Sequence, residues 1–225
     1  MNPVLRGSAA HVFVESLTAP MLSDEDDHHL RRVLRIRESD VVTASDGVGR
    51  WVTARLTASG LTVDSEPTVV ACPRPAVVVS AIPKGDRPEW IVQKLTELGA
   101  TAIGFMDCAR SVVRWDAARA QRQRERLRKV AREAAMQSRR VWLPDLIDVA
   151  PFGQLIKAIS CAIADPSGGA LTPEIDTVLI GPEGGFTEGE LLSVDRRVCL
   201  SANVLRVETA ALTAAIFLTQ RHDRT

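Results

Sequence analysis

No stretch of this chain is apolar for the roughly 20 residues that a membrane-spanning helix needs. Residues 1–10 also contain no apolar run of the signal-peptide kind. These two absences make a cytoplasmic protein the expectation. Cysteine is sparse: Cys72, Cys108, Cys161 and Cys199 are too scattered to close a zinc site and give no sign of an oxidising compartment. They read as small apolar residues of a core. The pair His28-His29 reads as helix residues rather than ligands, and no metal is expected. Net charge is missing as well, with 28 basic against 28 acidic side chains, a balance that by itself argues against a nucleic-acid partner. What is there in quantity is apolar residue, 45% of a 225-residue chain, ample for the core of one large domain or two modest ones.

Two short C-terminal segments carry the most information. Gly181-Pro182-Glu183-Gly184-Gly185 follows Thr177-Val178-Leu179-Ile180, a β-branched and aliphatic run too short for a helix, so it reads as a glycine loop after a buried parallel strand. Thr187 and Glu190 stand three apart, the spacing of a capping box, so a helix should start there. The order strand, glycine loop, helix is where open α/β sheets bind ligands, although a tight connection alone would also use it. The loop lacks the Gly-Lys-Ser/Thr ending of a P-loop and the spacing of a dinucleotide fingerprint, which argues against a nucleoside triphosphate. The second segment, Leu205-Arg206-Val207-Glu208-Thr209-Ala210, leads into a final helix over about 208–220.

Charge is distributed unevenly. Between Asp116 and Arg140 nine basic residues meet three acidic ones, a stripe with little of its own to pair its arginines, and RNA contact is the reading favoured over an ordinary solvated face. The compensating acid lies mostly elsewhere, as in Asp24-Glu25-Asp26-Asp27. Residues 1–71 alternate short β-like runs with turns and hold one helix near 24–34, the pattern of a small β-barrel. Cys72-Pro73-Arg74-Pro75 breaks both helix and strand and marks a linker over 72–75. From 76 to 225 strands and helices alternate: strands at 76–82, 101–106, 161–164, 177–180 and 197–200, helices from Pro88 to Gly99, over 116–138, near 152–160 and after Thr187. That rhythm implies an α/β domain with a covered parallel sheet.

The two C-terminal segments resemble the cofactor loops of the SPOUT methyltransferases. Together with His28-His29-Leu30-Arg31-Arg32-Val33-Leu34-Arg35, Lys84-Gly85-Asp86, Gln93-Lys94 with Glu97-Leu98-Gly99, Arg110-Ser111, and Glu133-Ala134-Ala135 with Gln137-Ser138, they are similar, in order from about residue 28 to 213, to the bacterial 16S rRNA uridine-N3 methyltransferase family. The resemblance implies a PUA-like β-barrel for RNA binding, a SPOUT domain with a deep trefoil knot over about 177–220, and a homodimer packed through knot helices. Leu212, Ala215, Ile216 and Thr219, with Phe217 and Leu218, make an apolar helix that fits either such a dimer or burial in its own domain.

The implied reaction is methylation, with S-adenosylmethionine, of N3 of the uridine at position 1498 in standard numbering of 16S rRNA within the small ribosomal subunit. Another SPOUT RNA methyltransferase, acting on ribose 2′-O, and a non-catalytic RNA-binding assembly factor are the alternatives. The implied cofactor contacts are Leu179, Gly181, Pro182, Glu183, Gly184, Gly185, Leu200, Ser201, Val204, Leu205, Arg206, Thr209 and Ala210. Uridine N3 is a weakly acidic imide whose charge on deprotonation needs a fixed cation or amide beside it. Arg206 is the first catalytic candidate because it keeps its charge, Gln137 the second, and Glu208 either a base or a favourable partner of its helix N-terminus. His29, Arg31, Arg32, Arg35, Lys84, Lys94, Arg110, Arg132 and Arg140 are the implied RNA contacts. The target must be unpaired or flipped out to expose N3.

Two places depart from the family pattern. Leu200-Ser201-Ala202-Asn203 replaces Leu-Gly-x-Arg, so either Ser201 adopts the backbone angles of a glycine or the turn differs. Met136 and Arg139 stand where Glu and Gly are expected around Gln137-Ser138, which excludes a carboxylate base at 136.

Overall fold

The computed structural model of the protein describes residues 2–220, and the chain forms two compact units. One comprises Met1–Pro73 with Arg132–Leu143, the other Arg74–Ala131 with Pro144–Thr225; the last five residues of the 76–225 span lie outside the described residues.

The first unit opens on α1 (Pro3–Gly7), a turn of helix capped by Asn2. Its sequence carries the start signal, a capping residue followed by proline, but is too short to show a period. There follow β1 (Ala10–Phe13), α2 (Asp24–His28), which continues as a π-helical turn over His29–Val33, and then β2 (Val42–Ser45), β3 (Arg50–Thr57), β4 (Gly60–Val63) and β5 (Thr68–Val69). β1 runs parallel to β2, and β3 pairs antiparallel with β2, β4 and β5, giving one five-stranded sheet. Its core gathers Val12, Val42, Ala44, Val52 and Leu56 under Leu30 of the π turn. The acidic run 24–27 is the first turn of α2, where carboxylates complement the helix dipole.

The segment Arg132–Leu143 joins this unit through its own side chains. Arg132 donates to both carboxylate oxygens of Asp26, at 3.0 and 2.7 Å, and to the Phe13 carbonyl at 3.1 Å, and its guanidinium lies over the Phe13 ring. Trp142 Nε1 donates to the Val70 carbonyl at 3.2 Å. His11 is fully buried, with Nε2 2.9 Å from the Arg140 carbonyl and Nδ1 2.8 Å from the Thr43 hydroxyl. Nε2 therefore carries the proton and Nδ1 accepts from Thr43.

The second unit contains β6 (Val77–Ala81), α3 (Arg87–Glu97), β7 (Ala102–Asp107), α4 (Ala117–Gln137), β8 (Asp145–Pro151), α5 (Phe152–Ala158), β9 (Ala162–Gly169), β10 (Thr177–Ile180), α6 (Glu188–Leu192), β11 (Arg197–Val198) and α7 (Val207–Thr219); the last turns of α4 are counted with the first unit. The sheet is parallel throughout, in the order β11-β9-β10-β6-β7-β8. Strand alternation sends Val78, Ile103, Phe105, Val178 and Ile180 to a core shared with α3 and α7. Val79, Ala81, Met106 and Leu179 go to the opposite face, against Phe152 and Leu155 of α5. Both faces are covered, hence the unbroken apolar runs in the sequence. Pro88 lies in the first turn of α3, and Gly99 follows that helix with φ +94°.

Three expectations need correction. Asp145–Pro151 is an edge strand whose burial follows no period of two, and β9 runs on past the expected end at 164 to Gly169, through Asp165-Pro166-Ser167-Gly168. The cysteines are not uniformly core: Cys108 is buried, but Cys72 is exposed in the coil after β5, and Cys161 and Cys199 are partly exposed. The basic stripe does find partners. Arg132 holds Asp26, Arg124 pairs with Asp148, and Arg126 with Glu89 at 2.8 Å, acids too distant in sequence to be matched to it. Arg119, Arg122 and Arg128 remain exposed. No helix among the described residues is long and apolar enough to cross a membrane.

Candidate functional site

The glycine loop leaves the C-terminal end of β10 and is shaped by two different glycine requirements. A Cβ on Gly181 would stand 2.9 Å from the Phe186 ring, so the absence of a side chain lets that ring close over the loop. Gly185 has φ +68° and donates its N–H to the Pro182 carbonyl at 2.8 Å, a tight turn that needs the left-handed region. Gly184 lies alongside Arg110. The capping box forms: the Thr187 hydroxyl accepts from the Glu190 N–H, and the Glu190 carboxylate accepts from the Thr187 N–H.

The partner loop runs from β11 to α7. Ser201 does not take a left-handed conformation, since Arg35 and Arg139 are the non-glycine residues described with positive φ. The turn differs instead, closed by the Asn203 N–H donating to Ser201 Oγ at 3.0 Å. Arg206 caps α7 with extended backbone, its side chain exposed. Glu208, in the first turn, is only 15% exposed; Oε1 lies 3.7 Å from Arg87, which is also 4.0 Å from Glu183, while Oε2 is buried without a hydrogen-bond partner.

Between the two loops lies a cavity of about 190 Å³. Of the expected cofactor contacts, Gly181, Pro182, Glu183, Gly185, Leu200, Ser201, Val204, Leu205 and Ala210 line it. Leu179 does not, because it points into the core as part of β10; Gly184 faces Arg110; Arg206 and Thr209 are exposed outside the lining. The sequence reading missed Asp165 and Pro166 at one wall and Phe186, Asn203 and Val207 at others. Asp165 had a signal, a carboxylate directly after the apolar run 161–164, hidden by the assumption that the strand ends there. A polar cleft of about 620 Å³ at the C-terminal ends of β6 and β7 holds Lys84, Arg114, Arg119 and Arg126 with Asp86 and Glu89. An apolar pocket of about 270 Å³ lies among β7, β8 and α4.

The remaining expected residues fall into two groups. His29, Arg32 and Arg35 are exposed on and just after the π turn, and Lys84 is exposed in the polar cleft. The others have partners inside the protein: Arg31 holds Asp27 and the Thr57 carbonyl, Lys94 holds Glu97, Arg132 holds Asp26, and Arg110 donates to the Gly184 and Phe186 carbonyls. Burial lowers the Arg140 guanidinium to about 10. Glu208 and Arg206 lie on the partner loop and its helix, whereas Gln137, exposed at the end of α4, belongs to the first unit.

Comparison with known proteins bears on this arrangement. A family model described as an RNA methyltransferase domain matches residues 71–219, and an RNA methyltransferase PUA domain matches residues 22–63. The ribosomal RNA small subunit methyltransferase E of Bacillus subtilis (strain 168) is 34% identical over 89% of this chain and 90% of its own. The protein of the same name from Mycobacterium bovis is 30% identical over 90% and 88%. Among solved structures, ribosomal RNA small subunit methyltransferase E from Neisseria gonorrhoeae bound to S-adenosyl methionine superposes with a TM-score of 0.81 at 26% identity, covering 93% of this chain and 96% of that one. With its PUA-type and α/β units, its glycine loop and its partner loop, the chain belongs to the ribosomal RNA small subunit methyltransferase E family of RNA methyltransferases.

Proposed function

We propose that the protein transfers the methyl group of S-adenosylmethionine to N3 of one uridine in 16S rRNA of the small ribosomal subunit, acting as a cytoplasmic homodimer. The observation that carries this reading is the cavity between the loops that follow β10 and β11, in a chain whose Neisseria gonorrhoeae relative is bound to S-adenosyl methionine. Its chemistry suits that cofactor. Ile180, Leu205, Val207 and Ala210 offer an apolar wall for an adenine ring, and Asp165 and Glu183 offer carboxylates for hydroxyl or ammonium donors. The cofactor supplies an activated methyl group; the chain supplies position and electrostatics.

Arg206 is the residue on which the chemistry turns in this reading. Exposed at the head of α7, it is free to face a substrate base and to hold the negative charge that develops on the uracil carbonyls as N3 loses its proton. The unpartnered Oε2 of Glu208 gives that residue an acceptor to offer a ligand N–H, which favours a role beyond its helix dipole. Gln137 is the candidate amide donor. His29, Arg32, Arg35 and Lys84, all exposed, are the proposed RNA contacts. Residues 1–71 are the proposed RNA-binding domain, 72–75 the linker, and 76–225 the methyltransferase domain, with the chain threaded as a knot over about 177–220. Supporting the threading, α7 returns to pack on central β6 and β10 after β11 has paired at the far edge.

The test is transfer of labelled methyl from S-adenosylmethionine to assembled small subunits and to naked 16S rRNA. Label in one or both is expected; none in either leaves a binding protein without activity. Arg206→Ala, at an exposed position, is expected to fold normally and to lose roughly two to three orders of magnitude in single-turnover rate. Near-normal turnover removes Arg206 from the mechanism.

A further inference from the structure

The strand-to-helix connection that follows β7 is bound to the glycine loop from both sides. Arg110 Nη1 donates to the Gly184 carbonyl at 3.0 Å and to the Phe186 carbonyl at 3.2 Å. In return the Ala109 N–H donates to Glu190 Oε1 at 2.8 Å, while Oε2 of the same carboxylate accepts the Thr187 N–H at 2.8 Å and the Thr187 hydroxyl at 3.0 Å. Burial would push the Glu190 carboxyl upward, but the bonds from Thr187 and Ala109 and the nearby Arg110 charge hold it below the usual carboxylate range. A Cβ on Gly184 would meet Arg110 Cβ at 3.5 Å, an ordinary van der Waals distance, so the two segments run side by side.

A loop with three glycines loses much conformational freedom on ordering, and that cost falls on any ligand that must order it. A loop already fixed in the free protein spares the ligand the cost. We infer that Arg110 and Glu190 are positioning residues that set the shape of the glycine loop before the cofactor arrives, and that Arg110 serves this clamp rather than the RNA. The assignment rests on the reading of the loop as the cofactor site. Its geometry also says why arginine is needed. One terminal guanidinium nitrogen reaches two carbonyls two residues apart, and it stands one bond farther from the backbone than a lysine ammonium can.

Arg110→Ala, Arg110→Lys and Glu190→Gln separate the possibilities. Hydrogen exchange of the cofactor-free protein should show the amides of residues 183–187 exchanging several-fold faster in each variant, with β7 unchanged. With small subunits as substrate, KM for S-adenosylmethionine should rise about tenfold while kcat at saturating cofactor stays within about twofold, the split expected when preorganised binding alone is lost. Affinity of the cofactor-free protein for 16S rRNA should be unaltered. The inference is overturned if Arg110→Ala leaves both loop exchange and the cofactor KM at the wild-type values. It is equally overturned if Arg110→Ala weakens RNA binding and Arg110→Lys restores it, the mark of a phosphate contact. If the wild-type protein binds no S-adenosylmethionine, the cofactor reading falls, and loop exchange still decides whether Arg110 holds the loop.

Discussion

Arg139 stands at the end of α4 with φ +59°, a left-handed conformation at the position where the family pattern has glycine. Its guanidinium compensates by donating to the carbonyls of Met136 at 2.9 Å and Ser8 at 3.0 Å, and these bonds tie the helix end to the first strand's approach. Arg139→Ala keeps the strained backbone and loses the bonds, whereas Arg139→Gly loses the bonds but relieves roughly 1 kcal/mol of strain. Urea unfolding should therefore find the alanine variant less stable than the glycine variant by about that amount; equal midpoints would show that the backbone is not strained. His11 makes a second residue-scale prediction. Burial, together with the charge of Arg139, outweighs its bond to the Arg140 carbonyl and lowers its pKa from 6.5 to about 4. The unfolded chain binds the proton first as pH falls, so the stabilisation is complete above pH 6.5 and is lost as pH drops toward 4. His11→Asn, which cannot titrate, should flatten that acid limb; an unchanged slope would place the pH dependence elsewhere.

At the scale of elements, α7 is apolar almost all round. Ala211, Ala214, Ala215 and Leu218 are buried in the second unit, while Phe217 is 45% exposed and Ile216 partly so. The stripe thus divides: one face belongs to the unit's own core and the other is left for the proposed partner subunit. Phe217→Asp should turn a dimer into a monomer in sedimentation without altering secondary structure, and a variant that stays dimeric would move the interface off this face. The α/β rhythm, the Pro88 and Gly99 limits of α3 and the Thr187–Glu190 capping box were legible because each is decided by residues within a few positions of one another. Pairings such as Arg132 with Asp26 were not. The partners lie 106 residues apart, so the stripe looked unpaired. β8 was missed for a related reason: an edge strand, partly exposed on both faces, carries no alternation to read. Most of the cavity between the two loops was legible through its glycine loop, but the wall supplied by Asp165 lies beyond the run 161–164 read as the strand.

For the molecule as a whole, zero net charge proves compatible with an RNA-directed family, because many of its arginines neutralise acids of their own chain. Arg31, Arg124, Arg126 and Arg132 each hold a carboxylate, leaving a smaller set of exposed cations to meet a phosphate backbone. The central claim is the atom that receives the methyl group. Small subunits lacking the modification, incubated with the protein and S-adenosylmethionine, should yield on nucleoside mass spectrometry of their 16S rRNA one 3-methyluridine per molecule, absent with Arg206→Ala. A ribose-methylated nucleoside in its place, or no new methylated nucleoside at all, would contradict the account.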